Sequence, residues 1–389
     1  MKKLAFVVPY FGKSISMADP RQALLYHLFH AGIDLEVLTT CVRPGRGSWN
    51  VNSFAPGTES VAGIPVRRFI ADERYNKAFT QMEDKLAEGK RLEREEESIF
   101  LNEMLNSSDL YDYIRANRER YASFVFLSYQ FGTTYFGSAA AGNRAVLIPC
   151  LQDEPAAYMR CFQKRYATMQ GMIFASSAEQ ALAQSLFAGP QVIQAVIGYG
   201  VQEQPGDAQR FFAKYPMEHP FMLCKTEDEK CRNWLIAAVT HYNQNHSEPL
   251  ELVLLGPSTM ESDGTPISHI LQIKRLSLQE QRDAYAAACL VCDPAPQSNF
   301  PVEIMESWLA GRPVLVSEQC AITTNFVRES GGGLYFKDYP TFAAALDRLL
   351  GDTALADAMG QGGCAYVQEH FTWPAVTRKY QAFFEALGE

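Results

Sequence analysis

The chain has 389 residues, more than one ordinary core accommodates, and two domains of roughly 150–200 residues each are the natural division. Hydrophobic residues make up 47% and aromatic ones 12%, which fills cores and excludes general disorder. A net charge of -9 without a basic stripe excludes nonspecific nucleic-acid binding, although a few N–H groups and one or two cations suffice to hold a nucleotide.

The first element is an apolar run, Leu4–Val8, behind Met1-Lys2-Lys3. It is too short for a secretory leader, no cleavage site follows, and it reads as a buried strand. A helix over Gln22–His30, closed by Gly32, precedes a second strand, Leu35–Thr39. After the turn Ala62-Gly63-Ile64-Pro65 comes a third, Val66–Phe69. Asp72 to Asn106, rich in charge at Glu83-Asp84-Lys85 and Arg91 to Glu97, reads as a helical insertion with a mostly solvated surface. Phe124–Leu127, Ala145–Ile148, Met172–Ala175 and Val192–Val196 are further short apolar strands. Strands apolar throughout belong to parallel sheets covered on both faces, and their alternation with helices implies a doubly wound fold.

The pattern then restarts. Pro205 to Pro220 is polar and loop-like, which puts a hinge near residues 198–206. Strands follow at Phe221–Cys224, Leu250–Leu255, Cys289–Cys292 and Pro313–Val316. Helices are expected at Trp234–Asn243, Arg282–Ala288, Val302–Ala310 and Phe342–Leu350, with a last one over Trp373–Leu387. No apolar run is long enough to span a membrane. Nine cysteines at irregular spacing read as free thiols of a reducing cytosol, and Cys289-x-x-Cys292 has no second pair to complete a zinc site.

The most informative stretch runs from Asp293 to Ser317: strand, polar loop, helix, Gly311-Arg312-Pro313 stop, strand. A helix opening at the carboxyl end of a parallel strand presents unpaired N–H groups and a positive dipole end, which suits a diphosphate. Glu303 and Glu306 lie three apart in its first turns. An acid at Glu303 complements the dipole; a carboxylate at Glu306, one turn deeper, suits a pair of ribose hydroxyls.

This segment resembles the donor-binding motif of family 4 retaining glycosyltransferases, which carry a Glu, seven residues and a second Glu, then small and apolar residues and Gly-x-Pro-Val. Glu306-Ser307-Trp308-Leu309-Ala310-Gly311-Arg312-Pro313-Val314 matches the second half. Leu38-Thr39-Thr40-Cys41, Trp49, Gly57-Thr58-Glu59 and Val66-Arg67-Arg68-Phe69 are similar to a subgroup from bacterial polysaccharide clusters. So are Leu147-Ile148-Pro149, Asp153-Glu154-Pro155, Gly332-Gly333-Leu334-Tyr335, Tyr366-Val367 and Phe371-Thr372-Trp373. The resemblance implies an α/β fold of the glycosyltransferase B type, with two Rossmann-like domains facing across a cleft. It implies an acceptor domain over 1–200 with the insertion near 72–106, a nucleotide-sugar donor domain over 201–370, and a helix over 371–389 crossing back to the first domain.

The chain also departs from the family pattern. Ser298 stands where the first Glu is expected, and Asn299, Phe300 and Pro301 replace the small residues behind it. Pro301 has no N–H to offer a phosphate, while Ser298 and Asn299 are candidates to cap the helix. Lys225 and Lys230 occupy the positions of an Arg and a Lys that neutralise the diphosphate; Lys225 keeps the charge without the bidentate fork. Gly12 and Lys13 open a first loop in which bulkier residues near Met17-Ala18 replace a Gly-Gly pair. Gln152-Asp153-Glu154 stands where His-Asp-Glu is expected, and Gln152 cannot carry a proton.

The resemblance therefore implies transfer of a sugar from a nucleoside diphosphate to a saccharide or lipid-linked acceptor with retention, without a metal or other cofactor. Lys230, Glu306 and Lys225 are the expected catalytic set. Gly256, Ser298, Asn299, Phe300, Val302, Glu303 and Glu306 are expected on the donor, and Gly12, Lys13, Gln152, Asp153 and Glu154 on the acceptor or sugar side. The expected location is cytoplasmic, peripheral at the inner face of a membrane if the acceptor is lipid-linked. The competing expectation is a catalytically weak homologue that supports a partner transferase; an epimerase or phosphorylase on the same fold is the third.

Overall fold

The computed structural model describes residues 2–43, 51–74, 76–187, 192–256 and 269–388; Trp49 lies outside them. The chain divides into two compact units. The first is Met1–Gly200 with Trp373–Glu389, and the second is Val201–Thr372.

The first unit holds β1 (Leu4–Val7), β2 (Leu35–Thr40), β3 (Gly57–Val61), β4 (Ile64–Phe69), β5 (Phe124–Leu127), β6 (Ala145–Ile148), β7 (Gly171–Phe174) and β8 (Ile193–Val196). They form one sheet in the order β3-β4-β2-β1-β5-β6-β7-β8. All pairs are parallel except β3–β4. β1, β2, β5, β6 and β7 are buried along their whole length, whereas β3 and β8 at the two edges are largely exposed. Uninterrupted apolar sequence is thus the mark of the inner strands. The hairpin β3–β4 turns at Ala62 and Gly63, both with positive φ (49° and 85°), the geometry that suits a two-residue connection between twisted strands. Ile64 and Pro65, expected in the turn, already belong to β4.

The helices of this unit are α1 (Pro20–His30), α2 (Asn76–Ala87), α3 (Arg94–Glu103), α4 (Ser108–Ala116), α5 (Gly132–Ala141), α6 (Arg160–Tyr166) and α7 (Ser177–Phe187). Asp19 caps α1 by accepting the Arg21 N–H, so the helix starts two residues before the expected Gln22. The expected single, solvated helix between Asp72 and Asn106 is two helices, α2 and α3. Phe79, Met82, Leu92, Phe100, Leu101 and Met104 of this segment are buried in the main core. The charge that dominates the sequence there masks an apolar stripe.

The second unit holds β9 (Phe221–Lys225), β10 (Glu251–Leu255), β11 (Ile270–Ile273), β12 (Leu290–Asp293), β13 (Val314–Ser317) and β14 (Gly333–Phe336), an all-parallel sheet in the order β11-β10-β9-β12-β13-β14. Its helices are α8 (Ala208–Lys214), α9 (Glu229–Gln244), α10 (Leu278–Ala287), α11 (Val302–Leu309), α12 (Ala321–Ser330), α13 (Tyr339–Gly351) and α14 (Thr353–His370). The stretch expected to be loop, Pro205 to Pro220, contains α8, whose Asp207 cap accepts from Gln209 and Arg210. Finally α15 (Trp373–Ala386) completes the first unit. Phe384 meets Phe6 edge-on at 6.2 Å, and Trp373 stacks on His27 at 4.0 Å. Among the described residues no helix is long and apolar enough to cross a membrane.

Strand order reverses at β1 in the first unit and at β9 in the second. In open α/β sheets the ligand crevice lies outside the carboxyl ends of the strands that flank such a point. The loops concerned are those after β1 and β5, and those after β9 and β12.

Candidate functional site

In the second unit, four apolar residues carry β9 through the core and leave Lys225 at its carboxyl end. On the neighbouring strand, β12 ends in Asp293. The helix that follows, α11, is anchored by its buried face: Ile304, Met305 and Trp308 are out of solvent. Trp308 donates its indole N–H to the Gly332 carbonyl at 2.8 Å. A Cβ on Gly332 or Gly363 would sit 2.4 or 2.2 Å from that indole, so glycine is required at both. The fixed buried face leaves Glu303 and Glu306, one turn apart, together on the less buried face of α11.

Lys225 Nζ lies 3.0 Å from Glu303 Oε1. Burial works against the Lys225 charge, but Glu303 and then Glu306 and Glu227 outweigh it and raise its pKa. Glu303 therefore does more than face the helix dipole: it holds Lys225. The Glu306 carboxyl is raised above the usual range by burial and by Glu303, against the pull of Lys225 and Arg282. It lines a cavity of about 200 Å³ together with Gln202, Gln204, Arg282 and Tyr285. The Tyr285 hydroxyl is buried there with no hydrogen-bond partner among the described residues, yet lies near enough to Glu306 to favour its ionised form. An orphaned buried hydroxyl beside a carboxylate is costly unless a ligand satisfies it.

Asp293 was not foreseen as a site residue. It accepts the Ala295 N–H at 3.0 Å, and burial followed by the nearby Glu303 pushes its carboxyl up to about 6. A polar residue closing an apolar strand at the reversal point was the available signal. Tyr285 gave none, because a tyrosine on a helix reads as core.

The loop into α11 differs from expectation. Pro301 is the helix N-cap and no side chain caps it, so neither Ser298 nor Asn299 takes that role. The Val302 N–H is already bonded to the Phe300 carbonyl at 3.0 Å. The Phe300 ring is buried against Phe326 and Phe371, which leaves only its backbone for a ligand. Gly256, at the end of β10, has φ +124° and a Thr226 carbonyl 3.1 Å from where a Cβ would stand. Its own carbonyl accepts from Gln272 at 2.8 Å. At the start of α9, Asp228 accepts the Lys230 and Cys231 N–H groups at 2.7 and 3.0 Å. The Lys230 side chain is exposed, and among the described residues it has no ion pair.

In the first unit, the loop after β1 is strapped down. Arg68, 3% exposed, donates to the Phe11 and Gly12 carbonyls at 2.7 and 3.0 Å and pairs with Glu59, which Lys13 also holds. Burial opposes ionisation of Glu59, and the two cations overcome it and lower its pKa. Lys13 is thus a partner of Glu59. After β6, Glu154 accepts from the Tyr129 hydroxyl at 2.7 Å and from Gln130 at 2.6 Å. Asp153 accepts from Tyr158 at 2.7 Å, and the Gln152 carbonyl accepts the Glu154 N–H. Lys225, Glu303 and Glu306 therefore form one cluster in the second unit. Gly12 with Lys13, and Gln152 with Asp153 and Glu154, form two others in the first.

Residues 222–352 match the model of the family described as glycosyl transferases group 1. No curated protein matches the chain. Among solved structures, sucrose-phosphate synthase from Thermosynechococcus elongatus is 15% identical, covering 100% of this chain and 99% of its own at a TM-score of 0.70. The α,α-trehalose 6-phosphate synthase from Burkholderia multivorans is 12% identical, with 100% and 97% coverage and a TM-score of 0.68. Anabaena HepE in complex with UDP and glucose is 13% identical, with 99% and 100% coverage and a TM-score of 0.65. The chain has the glycosyltransferase B fold.

Proposed function

We propose that this protein is a glycosyltransferase that moves a sugar from a nucleoside diphosphate to a hydroxyl of a saccharide or lipid-linked acceptor. The observation that carries the reading is Glu306 beside the orphaned Tyr285 hydroxyl in a cavity between α10 and α11 of the second unit. Two ribose hydroxyls are partners that a carboxylate and a neighbouring hydroxyl together accommodate. The match of residues 222–352 to glycosyl transferases group 1 and the UDP bound by the similar HepE structure support a nucleoside diphosphate as the donor.

In this reading Lys225 and Lys230 neutralise the diphosphate, and the charge that develops on it as the sugar–phosphate bond breaks meets cations already in position. The acceptor oxygen bonds to the anomeric carbon, and its proton passes to the departing phosphate oxygen, which gives retention without a protein nucleophile or a metal. Gly256, Ser298, Asn299, Phe300, Val302 and Glu303 border the donor. Gly12, Lys13, Gln152, Asp153 and Glu154 border the acceptor or sugar. The setting is cell-surface polysaccharide or glycoconjugate synthesis in the cytoplasm, at the inner face of a membrane where the acceptor is a lipid.

Titration calorimetry with UDP and UDP-glucose tests the donor site. Glu306→Ala should abolish binding and transfer while the melting temperature stays within a few degrees of wild type. Unchanged binding in that variant would remove the proposal. One observation favours the alternative, a weak homologue supporting a partner transferase: the Lys225 cation is engaged by Glu303. Transfer by the purified chain alone rules that alternative out.

A further inference from the structure

The first unit contains a groove of about 400 Å³ where α3, α5 and α6 meet. Three cations line it: Arg94 from α3, and Arg160 and Lys164 from α6. In a chain of net charge -9, cations this close together usually have carboxylates beside them. Among the described residues none of the three has an ion pair within 4.0 Å. The one carboxylate in the lining is Glu97, which is 5% exposed. Its two oxygens are engaged by the Arg160 and Cys161 backbone N–H groups at 2.9 and 3.1 Å. Glu97 thus fixes the start of α6, and with it the Arg160 and Lys164 positions, without quenching their side chains.

The rest of the lining is apolar and aromatic: Leu101 of α3, and Tyr135 and Phe136 of α5, with the Arg165 guanidinium 5.5 Å from the Tyr135 ring. Ser98 and Asn102, exposed on α3, add hydroxyl and amide groups. Three cations without ion pairs, lining one groove with aromatic rings and neutral polar groups, match a ligand that has a fixed negative charge on a ring bearing C–H faces and hydroxyls. The volume is that of a small-molecule site. Guanidinium groups at Arg94 and Arg160 suit a phosphate or carboxylate, which they bind through paired N–H bonds.

We propose that this groove binds an anionic saccharide, a sugar carrying a phosphate or a carboxylate, with the charge held by Arg94, Arg160 and Lys164 and the ring against Tyr135 and Phe136. That the saccharide is the acceptor, or part of it, rests on the transferase reading above; the binding itself does not.

The test is titration of the full chain with glucose 6-phosphate, glucuronate, glucose and inorganic phosphate, with UDP as a separate probe. The anionic sugars should bind at least tenfold more tightly than glucose and than inorganic phosphate. The stronger of glucose 6-phosphate and glucuronate identifies the charged group. Arg160→Gln with Lys164→Gln should weaken that binding by about tenfold or more, while UDP affinity and melting temperature stay unchanged. Both side chains are exposed and the Arg160 N–H that Glu97 caps is retained. Anionic sugars that bind no better than glucose or inorganic phosphate overturn the proposal, as does binding that the double substitution leaves intact. Failure of UDP to bind wild type, with the sugars still bound, counts against the donor reading and leaves the groove standing.

Discussion

In the proposed donor site, Lys225 and Glu303, 3.0 Å apart, would set the terms on which a diphosphate enters the second unit. The incoming anion has to compete with Glu303 for the only cation in the cluster of Lys225, Asp293, Glu303 and Glu306. Substitutions at the two positions should therefore act in opposite directions. Glu303→Gln should tighten UDP binding, and Lys225→Gln should weaken it about tenfold, both read by calorimetry at low salt, where exposed charges are least screened. Lys225 and Glu306 were singled out chiefly by the resemblance of their segments to a donor-binding motif, since a lysine in an acidic loop reads by itself as surface. The state of Asp293 and the orphaned Tyr285 hydroxyl were not, since burial and neighbours far along the chain create both.

At the scale of elements, the strap across the loop after β1 is the clearest dependence. Arg68 on β4 is buried and serves Phe11, Gly12 and Glu59 at once. Arg68→Met should leave two carbonyls without their donor and Glu59 with Lys13 alone, and cost about 3–5 kcal/mol in urea unfolding. Faster amide exchange should be confined to the loop and to β3–β4. Loss below about 1 kcal/mol would mean that the strap is only a surface feature. The inner strands were readable because burial on both faces demands uninterrupted apolar sequence. β3 was not, because an exposed edge strand of Gly57-Thr58-Glu59-Ser60-Val61 lacks that signature. α8 was hidden by the polar residues around it. The two insertion helices were hidden by charge that covers a stripe only the folded arrangement reveals.

For the first unit as a whole, two groups, one buried and one half-buried, oppose each other in pH. Glu179 is fully buried, and although the backbone N–H groups of Leu151, Ala175 and Cys150 favour its ionised form, burial pushes it up to about 7. Its folded value lies above the unfolded one. Its contribution is complete below about pH 4.5 and falls by about 3 kcal/mol as pH rises to 7. His27, stacked on Trp373, is lowered to about 4 by burial and by His30. Its folded value lies below the unfolded one, so its contribution is complete above pH 6.5 and is lost as pH falls to 4. Removing either should expose the other. His27→Phe should lose stability between pH 4.5 and 7, and Glu179→Gln between pH 6.5 and 4. Exchange of the β6 and β7 amides would follow the first unit alone, and parallel pH profiles in the two variants would contradict this assignment. The two parallel-sheet halves were plain in the sequence as a pattern that stops and restarts.

The first unit is discontinuous in the chain: it is left at Gly200 and entered again at Trp373. During synthesis the later half therefore has all its residues before the earlier half does. While the intervening residues are being made, the surface that α15 will cover, around Phe6, His27 and Gly171, stays open to water and to chaperones. A ribosome that stalls shortly after Thr372 releases a chain whose older half is the unfinished one.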